Sequence, residues 1–291
     1  MSRTVIALAA GISSRYGGVK QLERFGRDRR ILLAHTLQMA IVHGFSRAVC
    51  VIREEMRGPM EAELCHLREF IEIDYAVQRV DDVPSGVFIP VERKKPWGTA
   101  HAVFVARNFV RGSFLTVNGD DYYAPGVWEC LDEVLAQHQD ASAMVAHRLS
   151  ATLPDSGPVS RGICEFAEGY VRKIREFSTI ARAENQRAVD ARTGTIFHAD
   201  VPVSMNFFYL QPSVLHLFSA EARAFFAQPD DVLLDAEWQL PAVIDALLQK
   251  RKMILRGVVA DCPWCGLTHA RDREALEKFL DESSSKPNLR S

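Results

Sequence analysis

From Thr4 to Ala10 the chain carries no polar interruption. A strand covered on one face would alternate, so this run predicts a strand buried on both faces, as in a parallel sheet. Ile31 to His43 then sets Leu32, Leu33, Thr36, Leu37, Ala40 and Ile41 at helical spacing and stops at Gly44. Ala48–Ile52 reads as a second strand, Met60–Arg68 as a helix and Ile71–Val77 as a third strand. This βαβαβ start predicts parallel strands with helices on both faces. Thr99–Asn108 (helix), Ser113–Val117 (strand), Val127–His138 (helix) and Ala141–His147 (strand) continue it. Between them, Asp81–Pro96 holds three prolines, Gly86 and the basic cluster Arg93-Lys94-Lys95. It reads as a long loop with room for a short hairpin, and loops of that length commonly serve as lids or binding segments.

After Pro154 the rhythm changes. Gly162–Phe166 and Tyr170–Phe177 predict two antiparallel strands joined at Ala167-Glu168-Gly169. Arg182–Asp200 is polar and poorly periodic, which predicts a loop or an excursion from the sheet. Val201–Leu210 reads as one strand, Ser213–Phe226 and Ala236–Lys250 as helices, Met253–Val259 as a late strand and Arg271–Leu280 as a last helix. Residues 283–291 form a polar tail. No internal repeat is present. One doubly wound sheet with an antiparallel insertion accounts for residues 1–291 as a single domain, with halves at about 1–150 and 151–270 and a terminal helix and tail at 271–291.

Composition narrows the class. In 291 residues, 47% are apolar, 25% charged and 9% aromatic, which excludes disorder, collagen and coiled coil as whole-chain readings. Thirty-five Lys+Arg against 37 Asp+Glu give a net charge of -2. No basic field exists to recruit nucleic acid or an anionic membrane. Arg3 before Val5–Ala10 imitates a signal peptide, but six apolar residues fall below the ~7–15 of such a segment and far below the ~18 of a membrane helix. A soluble cytoplasmic protein is expected. Six cysteines include one CxxC, Cys262-Pro263-Trp264-Cys265. Zinc wants four ligands at matched spacings, and a redox pair should open a helix early in a βαβ unit. The plain expectation is two structural thiols.

The candidate chemistry begins at Leu8-Ala9-Ala10-Gly11-Ile12-Ser13-Ser14-Arg15-Tyr16-Gly17-Gly18-Val19-Lys20-Gln21, between the first strand and the first helix. Small residues there let backbone N–H groups approach an anion, and Arg15 and Lys20 add two charges. A nucleoside triphosphate needs that combination. Neither GxGxxG nor GxxxxGK[ST] occurs. Asn118-Gly119-Asp120-Asp121 follows a strand directly, where open α/β sheets place ligands. Asp120 there can hold Mg²⁺, which prefers one or two carboxylates plus phosphate and water oxygens. Asp121, next along an extended segment, is expected to point the other way. Gln78 closes the third strand and could read a base edge.

These segments resemble the nucleotidyltransferases that couple an NTP to a sugar phosphate or a similar phosphate. The opening motif is the strongest part. Trp97-Gly98-Thr99-Ala100-His101-Ala102 looks like the family's Gly-Thr-Ala segment, Val117-Asn118-Gly119-Asp120 like its metal-binding strand end, and Val171-Arg172-Lys173-Ile174-Arg175-Glu176 like its Val-x-x-Ile-x-Glu strand. Glu237-Trp238-Gln239-Leu240-Pro241 resembles a Glu-x-x-Leu-Pro helix of sugar-nucleotide members. The resemblance implies a Rossmann-like three-layer α/β/α fold with a mostly parallel central sheet, and Mg²⁺ as cofactor. It implies Arg15, Lys20 and Asp120 as catalytic residues, and Leu8, Ala10, Gly11, Gln78, Gly98 and Thr99 around the nucleotide. It implies Gly162, Glu176, Ser204 and Asn206 around the acceptor, and leaves homo-oligomers open.

The chain departs from the family at three places. Phe177 stands where a lysine that pairs with the acceptor phosphate often follows the glutamate. Trp264-Cys265-Gly266-Leu267-Thr268 lacks the second metal carboxylate of an Asp-x-Gly-Thr turn, and Asp261 could replace it only if the backbone is displaced. Ser204-Met205-Asn206 stands in place of a sugar-facing Asn-x-Gly. A regulatory protein with an impaired pocket is the rival reading, and an NAD-dependent oxidoreductase has the βαβ start alone. His101 and His269 read as packing or capping residues, because an anionic acceptor phosphate needs no histidine base.

Overall fold

A computed structural model describes residues 2–11, 20–154, 157–185, 187–262, 264–266 and 272–283. The first half runs β1 (Arg3–Leu8), a hairpin of β2 (Arg24–Phe25) and β3 (Arg30–Ile31), α1 (Leu32–Val42), β4 (Arg47–Ile52), α2 (Arg57–Leu64), β5 (Glu72–Val77), α3 (Thr99–Ala106), β6 (Ser113–Asn118), β7 (Asp121–Tyr123), α4 (Pro125–Gln137) and β8 (Ser142–Arg148). Then come α5 (Leu149–Thr152), β9 (Val159–Ala167), β10 (Tyr170–Ala183), β11 (Arg187–Asp190), β12 (Ile196–His198), β13 (Pro202–Ser204) and β14 (Phe208–Leu210). The chain closes with α6 (Val214–Phe226), α7 (Asp230–Leu233), α8 (Leu240–Gln249), β15 (Leu255–Ala260), β16 (Trp264–Gly266) and α9 (Asp272–Ser283).

The large sheet has the order β12-β11-β10-β9-β13-β8-β14-β6-β1-β4-β5, with β15 against β8 and the first residue of β10. β5, β4, β1 and β6 run parallel, as do β8 and β15. Along β1 the side chains alternate between two cores. Val5 and Ala7 pack with Leu37, Met60 and Trp128, while Ile6 and Leu8 pack with Val103, Phe218 and Ile244. Helices α1, α2 and α4 therefore cover one face and α3, α6 and α8 the other. Both faces being covered, the first strand shows no polar alternation, and the expected three layers are present.

Four local expectations are corrected. Asp81–Pro96 contains no strand. Its prolines remove ladder donors, and the buried Arg93 guanidinium gathers carbonyls instead, donating to Lys95, Pro96, Leu233 and Leu234 at 2.6–3.0 Å. Arg182–Asp200 is no loop. β10 extends to Ala183, and β11 and β12 complete an antiparallel arm. The carboxylate of Asp190 ties its turn by accepting from Thr179 and Thr193. Val201–Leu210 breaks into β13 and β14, because β13 pairs with β8 and β9 whereas β14 pairs with β8 and β6. Asn206 turns the chain between them at φ 60°, in the left-handed region that asparagine tolerates. The helix expected from Ala236 starts only at Leu240, with Pro241 in its first turn, where a missing N–H costs nothing. Among the described residues no helix is long and apolar enough to cross a membrane.

Candidate functional site

β1 sits between β4 and β6, so connections leave it in opposite directions and its carboxyl end opens a crevice beside that of β6. Backbone bonds lace the two ends together. Gly119 N–H donates to the Leu8 carbonyl at 3.0 Å, and Ala9 N–H to Val51 at 2.9 Å. A Cβ on residue 119 would stand 2.6 Å from the Cβ of Ala9, so only glycine permits this approach. Ala10 is buried, and the Gly11 carbonyl accepts from the Gln21 amide at 2.9 Å. Lys20 forms an ion pair with Asp120 across the crevice. Leu8, Ala10, Gly11, Lys20 and Asp120 are thus gathered at two adjoining strand ends. Arg15 lies outside the described residues, as does His269.

Asp121 turns away from the solvent, and what it meets was not legible in the sequence. Its buried carboxylate accepts from Asn118 Nδ2 at 2.6 Å, and Asn118 Oδ1 accepts from Asn206 Nδ2 at 2.9 Å. Burial, reinforced by the charge of Asp120, pushes the Asp121 carboxyl up to about 7, against the pull of Asn118, Arg161 and Lys20. Asn206 therefore links the β13–β14 turn to the end of β6. It also receives the Thr116 hydroxyl on its carbonyl and donates its N–H to Ser204 Oγ.

The β9–β10 ladder sets Gly162 opposite Glu176 and Arg161 opposite Phe177. A Cβ on residue 162 would lie 3.0 Å from Glu176 Oε2 and 3.2 Å from the Ile174 side chain, so the glycine leaves the carboxyl its room. Glu176 Oε2 is buried with no partner among the described residues. Burial raises this carboxyl to about 7, with Arg161 opposing and Glu237 adding to the rise. Arg161 is buried as well. It donates to the Thr152 hydroxyl and carbonyl and to the Ser160 carbonyl, and its guanidinium lies 5.0 Å from the Trp264 ring centre. Burial holds it down to about 10, against the charges of Asp121 and Glu176. Sequence reading missed Arg161. Its only trace is adjacency to Gly162.

Gln78, Gly98 and Thr99 meet at the carboxyl end of β5. Gln78 Nε2 donates to the Gly98 carbonyl at 3.0 Å. Gly98 has φ 105°, and a Cβ there would press 2.8 Å from the Trp238 carbonyl oxygen. Thr99 Oγ1 accepts from Leu240 N–H at 2.8 Å, and Ala100 N–H donates to Trp238. The Gly-Thr-Ala and Glu-x-x-Leu-Pro segments are therefore one laced unit. Glu237 of the latter pairs with Lys95 at 2.9 Å.

Asp261 is not brought to this cluster. Its side chain is 85% exposed and pairs with Arg148 at 3.2 Å. β16 pairs with β7 so that Gly266 faces Asp121 and Trp264 faces Tyr123. Among the described residues no group of three His, Cys, Asp or Glu side chains is disposed to hold a metal. Burial raises Cys262 to about 11, which suits a structural role better than a nucleophile.

Residues 14–215 match the family model of the nucleotidyl transferases, and the chain belongs to that family. The resemblance seen in its motifs is borne out. Three solved structures share the fold. The inositol-1-phosphate CTP transferase from T. maritima is 18% identical, with a TM-score of 0.66 over 96% of this chain and 95% of the other. A Bacillus anthracis protein assigned as a glucose-1-phosphate thymidylyltransferase, crystallised with a sucrose, is 13% identical, with a TM-score of 0.66 over 100% and 98%. A UDP-glucose pyrophosphorylase complexed with UDP-glucose is 13% identical, with a TM-score of 0.63 over 96% and 98%. The chain has no match among curated protein sequences.

Proposed function

We propose that this chain, acting as a single nucleotidyltransferase domain, transfers a nucleotidyl group from an NTP to a sugar 1-phosphate or a closely similar phosphate. An acceptor phosphate oxygen attacks the α-phosphorus in line, the bond to the β-phosphate oxygen breaks, and pyrophosphate leaves. The observation that carries the reading is the Lys20–Asp120 pair at the β1–β6 crevice. Each side chain there has the sign that one half of the reaction needs. Lys20, with Arg15 beside it in sequence, offsets charge that grows on the leaving pyrophosphate. Asp120 presents a hard, partly exposed carboxylate at a strand end, a donor that fits Mg²⁺ held otherwise by phosphate and water. Bound there, the cation would supply further charge neutralisation. Leu8, Ala10, Gly11, Gln78, Gly98 and Thr99 form the nucleotide side. Gly162, Glu176, Ser204 and Asn206 form the acceptor side.

Pyrophosphate release from a panel of NTPs and sugar 1-phosphates, with Mg²⁺ and with EDTA, tests the reading. Metal-dependent release with one NTP–acceptor pair is the expected result. Trp264 in place of a second carboxylate favours the regulatory alternative, which predicts NTP binding, seen as a thermal shift, without release from any pair.

A further inference from the structure

His101 and Gln78 form a relay whose hydrogen bonds close on one arrangement. His101 lies wholly inside the core, on α3. Its Nε2 is 2.7 Å from the Asp82 carbonyl oxygen. A carbonyl can only accept, so Nε2 carries the hydrogen. Burial holds the imidazole down to about 4. At neutral pH the ring therefore carries a single hydrogen, and Nδ1 is an acceptor. Gln78 Nε2 lies 3.0 Å from that Nδ1 and 3.0 Å from the Gly98 carbonyl oxygen. Both neighbours accept, so both amide hydrogens of Gln78 are spent. Turning the amide over would set Oε1 against two acceptors. The orientation is fixed by chemistry, since this assignment alone sets a donor against both acceptors. What Gln78 has left is Oε1, which takes no hydrogen bond from the described residues. The residue lines a cleft of about 320 Å³ with Arg53, Val77, Val80 and Lys94.

We propose that His101 is a positioning residue that locks Gln78 as an acceptor only, so that this chain selects its nucleobase by a donor on the base edge. The assignment rests on the nucleotidyl transferase reading, in which Gln78 faces the base. Its consequence is a choice that an unconstrained glutamine would not impose. At the exocyclic position cytosine and adenine offer an amino donor, whereas uracil, thymine and guanine offer a carbonyl. At the neighbouring ring nitrogen the pattern inverts. Whichever position meets Oε1, cytosine and uracil cannot be treated alike, nor can adenine and guanine. The wrong base leaves two acceptors face to face and both unsatisfied. A free amide would turn over and accept either.

The test compares kcat/KM for CTP against UTP, and for ATP against GTP, in wild type and His101→Phe, with ¹⁵N NMR of the histidine ring in the wild type. The expected results are an Nε2-protonated neutral His101 and a preference of at least ~10-fold within the pair used. In His101→Phe that preference should shrink several-fold, because the amide is freed on one side. A uniform loss on both bases with the preference intact is what a merely structural histidine gives, and it overturns the proposal. So does an Nδ1-protonated or doubly protonated ring at pH 7, a measurement that decides the matter if the variant fails to fold. Wild type that uses both members of each pair within ~3-fold overturns this inference alone. Wild type that binds no NTP removes the nucleotidyl transferase reading with it.

Discussion

At the β1–β6 crevice the charges stand at strand ends and face each other, Lys20 against Asp120, with both side chains partly exposed. On the β9–β10 ladder Arg161 is buried and Glu176 half-buried with its Oε2 shut off from solvent, and no ion pair joins them among the described residues. Water screens the first pair, so each partner can be exchanged cheaply for a phosphate or a cation. The second pair is largely withdrawn from water, and burial pulls both groups toward neutrality. An unpaired buried charge costs several kcal/mol. Glu176 lowers that cost by holding a proton up to near neutral pH, and Arg161 by spending its donors on Thr152 and Ser160. One region leaves its charges partly in water, and the other withdraws them into the fold.

The largest separation is expected at Asp120. Asp120→Asn keeps the turn and the hydrogen-bonding shape but removes the charge, and a neutral amide oxygen is a poor partner for a hard dication. Turnover should fall by roughly 10²–10³ and the magnesium requirement should rise, while Tm moves little, since a partly exposed pair is worth about 0–1 kcal/mol. A magnesium titration of initial rate with a parallel melt measures both. Wild-type rates in a folded Asp120→Asn protein would place the chemistry elsewhere. Arg161→Met should show the reverse order of effects. It strips hydrogen bonds from the carbonyls of Thr152 and Ser160, so denaturant unfolding should show a loss of about 2–4 kcal/mol. Lys20→Met, measured alongside, should cost under about 1 kcal/mol. Equal losses for the two cations would erase the contrast.

Glu176 supplies a smaller effect with a definite sign. Its folded pKa is raised from 4.5 to about 7. The folded state therefore holds the proton more tightly than the unfolded chain. That contribution is fully present below about 4.5 and is lost as pH rises through about 7. Glu176→Gln cannot lose it. Relative to the variant, wild type should weaken between those two values, by an amount on the order of 2–3 kcal/mol at pH 8. Denaturant unfolding of both proteins at pH 4.5, 6 and 8 reads the difference directly. A gap that does not change with pH would mean that Glu176 is ionised in the fold throughout.

The same contrast explains what could be read from the sequence. The first half carries its candidate site residues where local pattern speaks: an apolar run ends, glycines follow, and a carboxylate stands just past a strand. Lys20 and Asp120 are 100 residues apart, but each is announced by its own strand end, and parallel packing joins them. In the second half the decisive neighbours are set by register. Arg161 meets the neighbourhood of Asp121 and Glu176 because β9 pairs with β10 and β16 with β7, and no local spacing announces that. Asp121 lies beyond a turn at Gly119-Asp120 rather than along one extended segment with Asp120, and its carboxylate is tied through Asn118 to Asn206, which lies beyond a break in what reads as one strand. The polar arm through Asp190 reads as a loop because a thin sheet needs few apolar residues, and Thr179 and Thr193 close it by side-chain hydrogen bonds.

The smallest effect is expected at Asp261, and it bears on whether the crevice needs a second carboxylate from the late turn. The family pattern put a metal ligand near Gly266, and Asp261 was the nearest acid in sequence. In the fold its side chain is 85% exposed and lies 3.2 Å from Arg148. An exposed pair of that kind contributes about 0–1 kcal/mol and is screened by salt. Asp261→Asn should therefore leave Tm within about 2 °C of wild type, and its magnesium titration should overlay the wild-type curve while that of Asp120→Asn is displaced. If Asp261 swings in to join the cation once the nucleotide is bound, the two variants should instead raise the magnesium half-saturation together. A shared displacement at saturating NTP would return Asp261 to the metal and make the Arg148 pair a resting state. Overlay at every NTP concentration leaves Asp120 as the residue that brings the cation to the strand ends.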